Sequence, residues 1–110
     1  MIDHSRLDKI DSLGICKVYD KWPEIAETSF NMDSEPIGYD NIDHIVFAGM
    51  GGSGSLSDVF SAILSKSNIH VSVVKGYHLP KTVNSDTLVV TTTVSGNTTE
   101  TLSVLNSATK

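Results

Sequence analysis

Ile45-Val46-Phe47-Ala48-Gly49-Met50-Gly51-Gly52-Ser53-Gly54, followed at once by Ser55-Leu56-Ser57-Asp58-Val59-Phe60-Ser61-Ala62-Ile63-Leu64, decides the fold. A short run rich in β-branched and apolar residues gives way to glycines, and the glycines give way to a stretch with helical periodicity. The run 45–48 reads as a strand buried on both faces. Leu56, Val59, Phe60, Ile63 and Leu64 fall at i, i+3, i+4, i+7 and i+8, so a helix is expected over Ser55 to Lys66 with that stripe packed on the sheet. Two further apolar runs follow, Val71-Ser72-Val73-Val74 and Leu88-Val89-Val90 with threonines behind it, and a second helix is expected from Asn97 onward. The order β-α-β-x-β-α predicts an α/β fold, a Rossmann-like three-layer arrangement with a parallel sheet and right-handed crossovers.

Upstream the pattern differs. Residues 1–35 read as helical, with Ile2, Leu7, Ile10, Leu13 and Val18 apolar among charges and Pro23 at the first turn of a further helix, Glu24 to Met32. Pro36, Gly38 and Asn41 then punctuate the chain, which places an N-terminal helical arm at 1–40 and the α/β part at 41–110. Charge follows the same division. Ten acids face Arg6, Lys9, Lys17 and Lys21 in 1–43, whereas Asp58, Asp86 and Glu100 face Lys66, Lys75, Lys81 and Lys110 afterwards, so residues 1–43 carry −6 and residues 44–110 +1, a net −5.

At 110 residues, 39% hydrophobic and 19% charged, the chain has material for one modest core. A net charge of −5 argues against a general nucleic-acid binder, which needs a basic footprint to displace counterions. One cysteine, Cys16, leaves no disulfide framework, and a reducing, cytoplasmic setting is expected. The N-terminus lacks the bases and apolar core of a signal peptide, and no stretch approaches the roughly 20 apolar residues of a membrane span.

The glycine turn Gly49 to Gly54 opens a helix from the end of a strand, where unpaired backbone N–H groups and the helix dipole favour an anion. A glycine turn also serves tight strand-to-helix packing, but four glycines within six residues together with Ser53 point to a ligand. The last strand delivers a second loop, Thr93-Val94-Ser95-Gly96-Asn97-Thr98-Thr99-Glu100, in which Thr93, Ser95 and Thr98 offer three hydroxyls around one glycine. Asn97 and Glu100 fit a capping box, which accounts for those two residues and not for the hydroxyls. Both loops are expected at the carboxyl edge of the sheet, where open α/β folds bind ligands.

Gly49-x-Gly51-x-x-Gly54 formally matches a dinucleotide fingerprint, but no acid occurs between Asp58 and Asp86 to hold a ribose, and the second strand ends in Lys75-Gly76. NAD is disfavoured, Lys75 leaves an NADP-binding domain as an alternative, and a triphosphate loop lacks its lysine. No cofactor and no metal site is implied. The histidines are His4, His44, His70 and His78; the last two border a strand and read as loop or edge residues rather than general acids.

The two motifs together, Gly49-Met50-Gly51-Gly52-Ser53-Gly54 and Val89-Val90-Thr91-Thr92-Thr93-Val94-Ser95-Gly96-Asn97-Thr98-Thr99-Glu100-Thr101-Leu102, resemble the sugar isomerase (SIS) domain, most closely the N-terminal part of bifunctional phosphoglucose/phosphomannose isomerases. The resemblance spans roughly 44–105, and such proteins also carry a helical arm ahead of the first strand. It implies aldose–ketose interconversion of a hexose 6-phosphate through an enediol. It further implies that Gly51, Gly52, Ser53 and Gly54 meet the sugar phosphate while Thr93, Ser95, Gly96, Asn97 and Thr98 hold the phosphate. Thr93 stands where the pattern usually has Ser, and Val94 where an aromatic is common. The base and ring-opening histidine of that family have no counterpart here, so no catalytic residue is assigned. A full sheet of this type has about five parallel strands, and the expectation is the first half of a domain, truncated at its C-terminus and inactive alone. A non-catalytic sugar-phosphate-sensing module is the alternative. A strand edge left open by three strands makes a homodimer plausible, with a hexose phosphate as the small-molecule partner and neither nucleic acid nor membrane.

Overall fold

The computed structural model describes residues 9–36 and 38–109, and the chain divides into two compact units, Met1–Ile37 and Gly38–Lys110. In the first, α1 (Ile15–Asp20) and α2 (Trp22–Phe30) are joined through Lys21. The Asp11 carboxylate accepts the Ile15 and Cys16 amides, each at 2.8 Å, supplying acceptors for two of the otherwise unpaired N–H groups of the first turn. Those amides hold the Asp11 carboxyl below the usual carboxylate range. Pro23 sits in the first turn of α2, where a missing N–H costs nothing. The helix opens at Trp22 and closes at Phe30, two residues ahead of the expected Glu24 to Met32, and the Trp22 ring leans on Tyr19 with centroids 4.6 Å apart. Ile2, Leu7 and His4 lie outside the described residues.

The second unit is an α/β arrangement. Strands β1 (His44–Gly49), β2 (His70–Val74) and β3 (Thr87–Thr92) form a parallel sheet in the order β2-β1-β3, with His44 opposite both His70 and Thr87 and Gly49 opposite Thr92. Each strand coincides with a predicted run, because β-branched residues bounded by glycine or polar clusters suit a pleated surface buried between layers. The core is small: Val46 (0% exposed) and Ala48 on one face of β1, Phe47 on the other, and Val104 of the last helix.

Helix α3 (Gly51–Leu64) follows β1 after the single residue Met50, and α4 (Thr99–Ala108) follows β3. Both depart from expectation. The glycines Gly51, Gly52 and Gly54 are the first turn of α3, not a loop ahead of Ser55, and the helix stops at Leu64 rather than Lys66. The face toward the sheet is also a different one: Ser53, Gly54 and Ser57 are buried, while Leu56, Val59, Phe60 and Ile63 are about half exposed. One linking residue fixes the rotation of the helix about its axis, and that rotation turns the small residues inward. A Cβ on Gly54 would stand 2.9 Å from the Gly49 carbonyl oxygen, so the backbone of α3 approaches β1 more closely than any side chain allows. Of the stripe, Leu64 is half-buried and Phe60 stacks on Phe47 with centroids 5.5 Å apart. The segment between β2 and β3 is tied to α4, whose Ser103 hydroxyl donates to the Tyr77 carbonyl at 2.9 Å.

Candidate functional site

Because β1 and β3 are neighbours running in one direction, the helices that follow them begin side by side at the carboxyl edge of the sheet. Between the two starts lies an open cleft of about 420 Å³ lined by Met50, Gly52, Ser53, Leu56, Thr92, Val94, Ser95 and Thr98. Gly51 has φ +57° and Gly96 φ +71°, so each loop turns through a left-handed residue that only glycine adopts freely. In α3 the Gly54 amide is the first to reach back, to the Met50 carbonyl at 3.3 Å, which leaves the amides of the residues before it as the orphan donors of a helix start.

The second loop is organised by its hydroxyls. Thr98 Oγ1 shares hydrogen bonds with Thr93 Oγ1 at 3.1 Å and with Ser95 Oγ at 3.4 Å. The Gly96 amide donates to Thr93 Oγ1 at 3.2 Å and the Asn97 amide to Ser95 Oγ at 3.3 Å. Three hydroxyls and two amides thus form one connected turn that is shaped in advance. The expected capping box does not form: the N-cap of α4 is Thr98, one residue past Asn97, and its side chain makes no cap hydrogen bond. Glu100 instead accepts its own backbone N–H and the Thr99 hydroxyl, contacts that hold its carboxyl below the usual range.

Of the residues singled out in sequence, Gly52, Ser53, Ser95 and Thr98 line the cleft, and Thr93, Gly96 and Asn97 shape the turn behind it. Gly51 supplies the turn, and Gly54 is buried against β1, where it serves packing. Met50, Leu56, Thr92 and Val94 were not singled out as ligands. Thr92 was discoverable as the last residue of its strand, and Leu56 as the residue one turn beyond Ser53. Val94, 97% exposed, forms an apolar rim. No lining residue carries a titratable side chain, so the cleft offers neutral donors: amides, hydroxyls and two helix starts. Lys75, the cation that favoured NADP, is paired with Asp58 at 2.6 Å and lies across Gly54.

Over 72 residues, 63% of this chain, the sequence is 46% identical to the bifunctional phosphoglucose/phosphomannose isomerase of Caldicellulosiruptor bescii. The chain resembles part of that isomerase. The protein of the same name from Thermoplasma acidophilum is 42% identical over 67 residues, and that from Thermoplasma volcanium 40% over 68. The match spans about a fifth of each relative's length, 21%, 21% and 22%. No family model matches the chain. No solved structure matches it either.

Proposed function

We propose that this chain grips the phosphate of a hexose 6-phosphate in a SIS-type domain, as the phosphate-binding portion of an aldose–ketose isomerase acting on glucose 6-phosphate or mannose 6-phosphate. The observation that carries the reading is the pairing of two helix starts, one glycine-built and one hydroxyl-built, on adjacent strands around a single cleft. An orphaned amide at a helix N-terminus and a hydroxyl both donate to phosphate oxygens, and the dipoles of two helices add to the attraction. Relatives named for glucose and mannose phosphates support the sugar. In this reading Gly52, Ser53, Ser95 and Thr98 contact the ligand, while Thr93, Gly96 and Asn97 hold the turn.

Moving a proton between C1 and C2 requires a general base within hydrogen-bond reach of the carbon acid. The cleft lining contains neither carboxylate nor imidazole, so the reading assigns this chain binding without turnover. Titration of the chain with glucose 6-phosphate, followed by amide shifts, tests it. Saturable shifts centred on Gly52, Ser53, Ser95 and Thr98 are expected, with Ser95→Ala at least tenfold weaker. Shifts with NADP and none with the sugar phosphate would overturn the assignment, and robust turnover of fructose 6-phosphate by the chain would overturn the division of labour.

A further inference from the structure

The opposite, amino-terminal edge of the sheet carries a second cluster that the cleft does not use. The parallel register sets His44 of β1 beside His70 of β2, and the two rings lie 4.6 Å apart, tilted by 46°. Their Nε2 atoms converge on one oxygen: Ser72 Oγ stands 2.9 Å from His44 Nε2 and 3.4 Å from His70 Nε2. His44 is buried, at 4% exposure, while His70 is exposed.

The hydrogen-bond network fixes which nitrogen of His44 carries the proton. Asn84 Oδ1 is identified as the oxygen because the Asp86 amide donates to it at 2.9 Å. The Thr87 hydroxyl donates its single proton to that Oδ1 at 3.2 Å. Toward His44 Nδ1, 3.3 Å away, Thr87 Oγ1 is therefore an acceptor, and Nδ1 is the protonated nitrogen. Nε2 of His44 consequently presents a lone pair toward Ser72 and His70. An imidazole whose far N–H is held by an oxygen while its near nitrogen keeps its lone pair is the arrangement seen around metal-ligating histidines, where the outer contact fixes the tautomer and raises basicity. The Ser72 hydroxyl proton serves His44 Nε2, and a cation between the rings would take its place, with His70 binding through Nε2 as its Nδ1–H tautomer.

From this we propose that His44 and His70 form a two-histidine site for an imidazole-preferring divalent transition metal, Zn²⁺ or Cu²⁺, which ties the starts of β1 and β2 together. Zinc takes imidazole nitrogens at about 2.0–2.1 Å, and both Nε2 atoms already face the one oxygen of Ser72. No third histidine, cysteine or carboxylate joins the pair among the described residues. The Ser72 hydroxyl and solvent complete the shell, which makes the site open and exchangeable rather than a closed structural one. Mg²⁺ and Ca²⁺, which want carboxylate and carbonyl oxygens, are excluded by the donor set.

The test uses the full untagged chain. Calorimetric titration with Zn²⁺ is expected to give saturable one-to-one binding that His70→Ala weakens at least tenfold and that a His4→Ala/His78→Ala double variant leaves unchanged. Substoichiometric Cu²⁺ is expected to broaden the amide signals of His44, His70 and Ser72 first. Long-range ¹⁵N–¹H spectra of the imidazoles, which need no variant, are expected to show His44 protonated at Nδ1. Equal affinity in His70→Ala, binding that departs with His4 or His78, or a His44 protonated at Nε2 would each overturn the proposal.

Discussion

Replacing Gly54 by alanine puts a methyl group where α3 meets β1. The new Cβ would lie 2.9 Å from the Gly49 carbonyl oxygen and 3.2 Å from Lys75 Cε. The lysine carbon can move; the carbonyl cannot without shifting the end of the strand. Forcing a methylene into a tight contact costs about 1–3 kcal/mol, while alanine in place of glycine within a helix returns about 1 kcal/mol. Gly52, two residues earlier in the same turn, supplies the reference: a Cβ there meets nothing within 4 Å. Gly52→Ala gains the same helical preference and the same reduction of unfolded-state freedom without the clash. The difference between the two variants therefore isolates the clash. At about 2 kcal/mol it separates their melting temperatures by roughly 8–16 °C for a unit of this size. Thermal and urea melts of the two full-length variants, side by side, provide the measurement. Coincident transitions would refute the argument that close backbone approach, rather than ligand access, demands glycine at 54. Ligand titration supplies the converse: Gly52→Ala, with its methyl directed into open space at the cleft, is expected to weaken glucose 6-phosphate binding at least tenfold while leaving stability intact.

Other perturbations follow from single contacts. Thr101 is 3% exposed and its hydroxyl has no hydrogen-bond partner, so the near-isosteric Thr101→Val is expected to raise stability by about 1 kcal/mol; a loss in urea melts would show that the hydroxyl is engaged. The Asp11 carboxyl, held low by the Ile15 and Cys16 amides, stabilises α1 above its unfolded value, and that contribution fades as pH falls through the lower folded value. Amide shifts of Ile15 and Cys16 should move together on acidification and be flat in Asp11→Asn. Lys75 and Asp58 are 46% and 55% exposed, so Lys75→Met is expected to cost no more than about 1 kcal/mol; a larger loss would mark the ion pair as a brace for the glycine turn. Finally, binding of glucose 6-phosphate should weaken below about pH 6, as the phosphate takes its second proton, whereas a sugar 6-sulfate should bind with a flat profile between pH 5 and 8 by calorimetry.

The strands were legible because burial between two layers leaves a signature in composition: 45–48, 71–74 and 88–90 each stand inside an observed strand. The helix that follows β1 was legible as a helix but not in its facing. Its apolar stripe is the conventional predictor of the buried side, yet a one-residue connection at Met50 sets the helix's rotation and closes it onto the sheet through Ser53, Gly54 and Ser57. Small residues carry no hydrophobic signal, so periodicity could not reveal them; the glycine at 54 could have, had the carbonyl of Gly49 been known to face it. The capping box failed for a comparable reason. Asn97 and Glu100 have the right spacing, but Gly96 at positive φ turns the chain so that Asn97 donates its amide to Ser95 and the helix opens a residue later. The pairing of His44 with His70 was out of reach altogether, since each histidine is unremarkable alone and only the strand register joins them.

Neutrality is the property that most constrains what the cleft can do. A lysine or arginine would attract any anion at a distance and hold it loosely in orientation, because a point charge has no direction. Amides at two helix starts and hydroxyls locked to one another are directional, and they act only within hydrogen-bond range. The turn from Thr93 to Thr98 already engages part of its donor set, the Gly96 and Asn97 amides and the shared hydroxyl bonds. A phosphate must therefore compete with contacts that exist before it arrives, and it wins only if several of its oxygens are met at once. A tetrahedral dianion seated between the starts of α3 and α4 satisfies that condition, and a planar carboxylate, with two oxygens in one direction, does not. Under the proposed reading, selectivity for phosphoryl groups over carboxylates would follow from the shape of a preformed neutral site, and the sheet register that pairs Gly49 with Thr92 sets the spacing of its two halves.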